Sequence, residues 1–184
     1  MRILAISGSL RDGSYNTSLL RAAAELAPVG VDVELYDGLA SIPPYRPELD
    51  VVPAPAAVQD LRDRIAAADA LLIATPEYNG SIPGQLKNAI DWASRPFPES
   101  SLRNKPAAIS GVSPTAYGAM WAQTDLRRVL GIAGARAVGE ELAVPQASEH
   151  FDDEGRLIDP DLRVRLEEHL ELLVAEARPT AVTA

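Results

Sequence analysis

The sequence has 184 residues, 47% of them hydrophobic and 23% charged, with a net charge of −9 and no cysteine. This length suits one domain with a substantial core, and the acidic charge excludes a general nucleic-acid or anionic-membrane surface. Because there is no cysteine, disulfides and cysteine-ligated metal clusters are excluded, and any redox chemistry needs an organic cofactor.

Strand-like segments rich in β-branched and aliphatic residues alternate with segments of helical periodicity. Strands are predicted at 2–7, 31–36, 70–75, 107–112 and 135–138. The first and third are continuously apolar, as in parallel strands covered on both faces, whereas the second alternates like an edge strand. Helices are predicted at 19–27 and 58–68, from Pro83, from Thr115 or Tyr117, and from Pro160 with Asp159 as its cap.

This alternation predicts an α/β fold. With right-handed crossovers, it gives a three-layer, doubly wound, five-stranded parallel sheet. Residues 1–178 are expected to form a single domain, and 179–184 a disordered tail. Ligands of such sheets bind at the carboxyl ends of strands where the strand order reverses, which directs attention to the loops after the first, third and fourth strands.

The segment GSLRDGSYNTS, residues 8–18, follows the first predicted strand and leads into a helix. Its glycines have the spacing of a nucleotide phosphate loop, but the lysine that should follow the second glycine is absent. The dinucleotide fingerprint fails too, because Leu10 stands where a glycine is needed. The hydroxyl groups, Arg11 and the helix N-terminus can instead hold one terminal phosphate. The alternative is a capped turn with Ser14 or Asn16 as N-cap.

The segment PEYNGSIPGQLKNAIDW, residues 76–92, follows the third predicted strand. Gly80 and Gly84 let the backbone approach a flat ligand closely, and Tyr78 can cover a ring face. The alternative is a turn shaped by proline and glycine, in which Tyr78 and Trp92 simply pack.

Together, GSLRDGSYN and TPEYNGSIPGQLKNAIDW resemble the NADPH-dependent FMN reductase family, over about residues 1–140. The resemblance implies a flavodoxin-like fold of strand order 2-1-3-4-5, bound FMN, and NADPH or NADH as electron donor. It implies that the FMN phosphate is held by Ser9, Arg11, Ser14, Asn16 and Thr17. It implies that the isoalloxazine ring lies against Pro76, Glu77, Tyr78, Asn79 and Gly80. It further implies a homodimer or homotetramer, with contacts through the helix after Pro83 and through 94–98.

The segment after the fourth predicted strand, SGVSPTAYGAM, departs from the glycine-richer turn of the family. The candidates in this segment for contact with the isoalloxazine ring or the ribityl chain of FMN are Ser110, Gly111, Ser113 and Tyr117. A preference for NADPH needs a cation for the 2′-phosphate. Candidates for this cation, chosen by their nearness in sequence to the site, are Arg95, Arg103 and Lys105. The alternative is that each is a solvated surface charge.

The expected activity is hydride transfer from NAD(P)H to FMN, then electron transfer to a small-molecule acceptor: a quinone, an azo compound, a metal oxyanion or free flavin. No catalytic acid or base and no metal is expected, and Glu77 is assigned a positional role. Two alternatives are a flavodoxin-type electron carrier and a non-catalytic protein of the same fold without flavin. No export signal or membrane span is predicted, so a cytoplasmic protein without nucleic-acid or membrane partners is expected.

Overall fold

The computed structural model describes residues 1–178, so the tail predicted at 179–184 lies outside the described residues. The strands are β1 (Arg2–Ser7), β2 (Asp32–Tyr36), β3 (Ala70–Ala74), β4 (Pro106–Val112), β5 (Arg136–Ala137) and β6 (Leu142–Val144). The helices are α1 (Tyr15–Glu25), α2 (Ala56–Ala67), α3 (Gly84–Ala93), α4 (Met120–Ala133) and α5 (Pro160–Ala177). Short 3-10 turns lie at Leu39–Ser41, Pro47–Leu49 and Ala147–Glu149.

The strands form a parallel sheet in the order β2-β1-β3-β4-β5, which confirms the expected topology. The alternating strand β2 lies at one edge, as its sequence pattern predicted. At the other edge, two short strands pair with β4. Strand β5 pairs with Pro106 and Ala107, and β6 pairs with residues 110–112. Strand β6 was not predicted, because three residues between two glutamates and a proline are too few to show a period.

Two hydrophobic cores cover the two faces of the sheet. Successive residues of β1 point to opposite faces, so Leu4 and Ile6 join the core under α2, α3 and α4. Ile3 and Ala5 join the core under α1 and α5. This alternation produces the three layers that the sequence predicted.

The ends of the helices have local causes. The Asp159 carboxylate accepts hydrogen bonds from two backbone N–H groups in the first turn of α5, and Pro160 is its first residue, as predicted. Helix α4 begins later than predicted, because Gly118 (φ 57°) and Ala119 (φ 61°) both have left-handed backbone. A Cβ atom on Gly118 would lie 2.8 Å from the backbone nitrogen of Val144, so a close approach also requires this glycine.

Trp92 is a packing residue of the core. It is fully buried, and its indole N–H donates a hydrogen bond to the carbonyl oxygen of Pro43 at 2.8 Å. Its ring meets that of Tyr45 edge to face, with 4.8 Å between the centroids. No helix within residues 1–178 combines the length and apolar character needed to cross a bilayer.

Candidate functional site

The loops after β1, β3 and β4 meet at the carboxyl edge of the sheet and enclose a cavity of about 390 Å³. We name them loop 1 (8–14), loop 2 (75–83) and loop 3 (113–119), and we name the cavity the three-loop cavity. It is lined by Ser9, Arg11, Ser14, Tyr15, Asn16, Pro76, Glu77, Tyr78, Val112, Ser113, Pro114 and Thr115. The loops converge because β1, β3 and β4 are parallel neighbours whose carboxyl ends share one edge.

The lining combines residues that the sequence analysis singled out with others that it missed. Both candidate segments contribute, together with Ser113 from loop 3. The missed residues are Tyr15, Val112, Pro114 and Thr115. Each lies within two positions of a candidate residue in the sequence, and only the folded chain shows which of these residues face the cavity.

Loop 1 presents hydrogen-bond donors and a positive charge. Ser14 occupies the N-cap position of α1, and its side chain makes no capping bond within the described chain. The first-turn N–H groups of α1 carry partial positive charge. The Arg11 guanidinium donates to the carbonyl oxygen of Gly13 at 3.3 Å, and among residues 1–178 no carboxylate pairs with it. This corner of the cavity therefore suits an anion.

Asn16 connects α1 to the end of β4. Its buried side chain donates from Nδ2 to the carbonyl oxygen of Val112 and accepts at Oδ1 from the N–H of Val112, both at 3.0 Å. The amide thereby holds the end of β4, from which loop 3 continues, and its second Nδ2 hydrogen remains a donor for a ligand in the cavity that Asn16 lines. The Thr17 hydroxyl is also used within the fold, because it donates a hydrogen bond to Ser7 Oγ at 2.9 Å. Thr17 lines a neighbouring cavity and not the three-loop cavity.

Loop 2 contains a tight turn. Tyr78 and Ser81 exchange backbone hydrogen bonds of 3.0 and 3.2 Å around Asn79 (φ 54°) and Gly80 (φ 74°). Two positive φ angles define a type I′ turn, for which Asn-Gly is the preferred pair. The Ser81 hydroxyl donates to Asp125 Oδ2 at 2.7 Å, which ties the turn to α4. The Tyr78 ring, 50% exposed, is thus held at the edge of the cavity.

Glu77 attaches the start of loop 2 to the N-terminus of α4. Its Oε2 accepts hydrogen bonds from the N–H of Trp121 at 3.0 Å and from that of Ala122 at 3.2 Å. The N-cap position of α4 is Ala119, which has no polar side chain, so a carboxylate from another element serves that helix end. The helix dipole favours this negative charge, which makes Glu77 a positional residue.

Three candidates from the fourth strand and loop 3 lie outside the lining of the three-loop cavity. Ser110 is buried within β4, where its hydroxyl donates to a β3 carbonyl at 3.3 Å. Gly111 faces α4, and a Cβ atom there would lie 2.8 Å from Gln123 Nε2. Tyr117 is exposed, and its ring packs against that of Trp121 with 5.0 Å between the centroids.

The three cations suggested for a 2′-phosphate also lie elsewhere. Arg103 and Lys105 precede β4, so they lie at the amino edge of the sheet, opposite the cavity. The Lys105 ammonium donates to the carbonyl oxygen of Ala68, and burial lowers the pKa of this lysine. Arg95 lines a groove between α3 and α4. Nearness in sequence to the site was therefore a poor guide to these side chains.

Comparison with known proteins gives consistent matches. The model of the NADPH-dependent FMN reductase family matches residues 1–149. An NAD(P)H-dependent FMN reductase of Pseudomonas aeruginosa is 45% identical over 174 residues, covering 94% of this chain and 93% of the relative. A 2-hydroxy-1,4-benzoquinone reductase of a Burkholderia species is 36% identical over 183 residues, covering 99% of each. The solved structure of a flavoenzyme NAD(P)H:(acceptor) oxidoreductase from Paracoccus denitrificans superimposes with a TM-score of 0.86 and 35% identity, covering 96% of both chains.

Proposed function

The chain belongs to the NADPH-dependent FMN reductase family, and we propose that its three-loop cavity is the FMN site of the enzyme. The protein is an NAD(P)H-dependent flavoenzyme oxidoreductase with FMN as its cofactor. One observation carries the assignment of the site: a single cavity joins the hydroxyl groups and guanidinium of loop 1 to Pro76, Glu77 and Tyr78 of loop 2.

The phosphate of FMN is assigned to loop 1. Ser9, Arg11 and Ser14 line this corner, and the first turn of α1 adds backbone N–H groups. Because the chain has a net charge of −9, local donors must meet a phosphate, and the Arg11 guanidinium supplies the positive charge. Asn16 and Thr17 support this corner from behind, through Val112 and Ser7.

The isoalloxazine ring is assigned to the space between loops 2 and 3. Pro76, Glu77 and Tyr78 form one side, and the turn at 79–80 holds Tyr78 in place. The opposite side includes Ser113, whose hydroxyl accepts from the N–H of Thr115 at 3.1 Å and shares a 2.9 Å hydrogen bond with its hydroxyl. These bonds pre-organise loop 3, which reduces the ordering that binding requires.

FMN, when bound, supplies the redox chemistry: it accepts hydride from a reduced nicotinamide and passes electrons to the acceptor. The residues of the chain bind the FMN and orient it. Glu77 is occupied by α4, so we assign it no proton transfer, and we assign no other catalytic acid or base. Arg11 and the N-terminus of α1 balance the phosphate charge at loop 1.

We further propose quinones as the acceptor class, because one similar relative is named a 2-hydroxy-1,4-benzoquinone reductase. We propose that residues 1–178 act as one domain and that the protein is a cytoplasmic homodimer or homotetramer. The groove between α3 and α4 supports association, since Phe97 and Ile132 there are 79% and 77% exposed.

The direct test is to purify the protein, identify any released flavin, and follow NADH and NADPH oxidation with quinone, azo, chromate and flavin acceptors. We expect FMN and sustained turnover with a quinone. FMN binding without NAD(P)H oxidation would instead indicate an electron carrier. A protein that stays colourless after FMN is added would contradict the site. Light scattering after size-exclusion chromatography measures the oligomeric state.

A further inference from the structure

Exposed aromatic side chains lie beside the three-loop cavity. Tyr117 in loop 3 and Trp121 in the first turn of α4 are 59% and 48% exposed. Their rings pack against each other, with 5.0 Å between the centroids and 52° between the planes. We name these two side chains the aromatic pair. Together with the half-exposed ring of Tyr78 in loop 2, the aromatic pair offers ring faces to a ligand at this edge of the sheet.

Backbone hydrogen bonds hold the aromatic pair next to the cavity. The N–H of Trp121 donates to the carboxylate of Glu77 at 3.0 Å, and Glu77 lines the cavity. Tyr117 stands two positions after Thr115, which also lines the cavity. The carbonyl oxygen of Tyr117 accepts from the N–H of Met120 at 3.1 Å, so a single turn joins the two aromatic residues. The backbone of the pair is therefore fixed to the cavity wall, while both rings remain open to solvent.

The charges around the cavity distinguish between classes of electron acceptor. Among the described residues that line it, Arg11 is the one cation, and it is assigned to the FMN phosphate. Glu77 brings a carboxylate to the side of the aromatic pair. Further along α4, Arg128 is paired with the carboxylate of Asp125 at 3.5 Å. With a net charge of −9 on the chain, these surroundings disfavour an anionic acceptor and suit an uncharged one.

We propose that the aromatic pair selects the electron acceptor by stacking against uncharged, planar quinone rings. This inference rests on the proposed FMN site, because the acceptor must approach the flavin ring assigned to the three-loop cavity. Trp121 is the main determinant, since indole has the larger ring face, and Tyr117 orients it through their ring contact. A metal oxyanion has no ring face to stack, so the aromatic pair gives it no advantage.

The binding test requires no turnover. Ligand-observed NMR measures the Kd of menadione, an uncharged naphthoquinone, for the oxidised, FMN-loaded protein without nicotinamide. We expect Trp121→Ala to raise this Kd about three- to tenfold, as for loss of one aromatic stacking contact, and Trp121→Phe to keep most of the affinity. Both variants keep the backbone N–H that donates to Glu77, so the Kd for FMN should not change.

Val164→Ala is the matched control for loss of an exposed apolar side chain. Val164 is 52% exposed on α5, which packs on the opposite face of the sheet from α4. Its replacement should leave the Kd of menadione unchanged.

Rapid mixing provides the second readout. The FMN-loaded protein is photoreduced without nicotinamide and mixed anaerobically with menadione or with ferricyanide, an anionic acceptor that has no ring. The return of oxidised flavin absorbance gives the second-order rate constant for each acceptor. We expect Trp121→Ala to lower the rate constant for menadione about three- to tenfold and to leave that for ferricyanide unchanged.

Four outcomes decide the matter. Equal affinity of wild type and Trp121→Ala for menadione, or none in either, overturns the inference, even when NAD(P)H oxidation continues. Equal slowing with ferricyanide overturns it too, because the change would then lie in the flavin environment. A different mass of Trp121→Ala in light scattering would assign the aromatic pair to contact between copies of the chain and also overturn it. Failure of the wild-type protein to bind FMN would instead contradict the FMN site.

Discussion

Glu77 in loop 2 accepts a hydrogen bond from the backbone N–H of Trp121 in α4 at 3.0 Å, and a second from the following residue at 3.2 Å. A loop assigned to a flavin ring is thus fastened to a helix end that has no side-chain cap of its own. The position of loop 2 and the stability of α4 therefore depend on the same carboxylate.

Two replacements of Glu77 distinguish the effect of its hydrogen-bond acceptor oxygen from that of its negative charge. Glu77→Ala removes both hydrogen bonds and is expected to lower the free energy of unfolding by about 0.5–2 kcal/mol, as for a lost helix cap. Glu77→Gln keeps an acceptor oxygen and should retain most of that stability. Urea unfolding measures both variants, and FMN titration should show weaker binding in Glu77→Ala. An alanine variant as stable as wild type would refute the capping role.

Asn16 offers a test of the connection between α1 and the end of β4. Asn16→Ala leaves the buried N–H and carbonyl of Val112 without partners, each at a cost of about 1–3 kcal/mol. We expect reduced stability together with weaker FMN binding. Asn16→Asp preserves shape but cannot donate when ionised, so its defect should resemble that of the alanine variant. Unchanged unfolding in both variants would show that the two hydrogen bonds are dispensable.

Arg11 tests the phosphate assignment. Arg11→Ala removes a charge-assisted contact of about 1.5–3 kcal/mol, so FMN affinity should fall about ten- to a hundredfold. The effect should be smaller for riboflavin, which has no phosphate. Arg103→Ala, at the amino edge of the sheet, is the charge-matched control and should bind FMN normally. Equal losses for FMN and riboflavin would contradict a phosphate contact.

The sequence predicted the fold well because its strongest signals were local. Continuous apolar runs and alternation placed the inner strands and the edge strand β2, and the Asp159-Pro160 pair placed the start of α5. The short strand β6 escaped because it depends on pairing with β4. The start of α4 was misplaced because the left-handed backbone at 118–119 reflects close packing against β6.

The candidate site was predicted only in part, because side-chain partners across the fold leave little trace in a sequence. The motifs brought Ser9, Arg11 and Tyr78 to one cavity. No pattern indicated that the Asn16 amide would be used by residue 112, which is 96 positions away.

The buried imidazole of His169 on α5 makes stability depend on pH. The pKa of His169 is lowered from 6.5 to about 4, chiefly by burial and also by the nearby positive charge of Arg165, while Glu141 acts in the opposite direction. Its Nε2 has no hydrogen-bond partner within residues 1–178. The folded state thus keeps the imidazole neutral between about pH 4 and 6.5, whereas the unfolded chain binds a proton there.

Stability should therefore fall as the pH drops from about 6.5 toward 4, because the unfolded state takes up the extra proton. The full pKa difference corresponds to about 3 kcal/mol, of which a part is lost by pH 5. Urea unfolding at pH 7, 6 and 5 measures this loss of stability. These pH values lie above the usual range of carboxyl pKa values, so carboxyl groups contribute little to the change. His169→Gln should flatten the dependence, and His150→Gln, which alters the less buried imidazole, should retain it. A slope that survives in His169→Gln would assign the effect to another group.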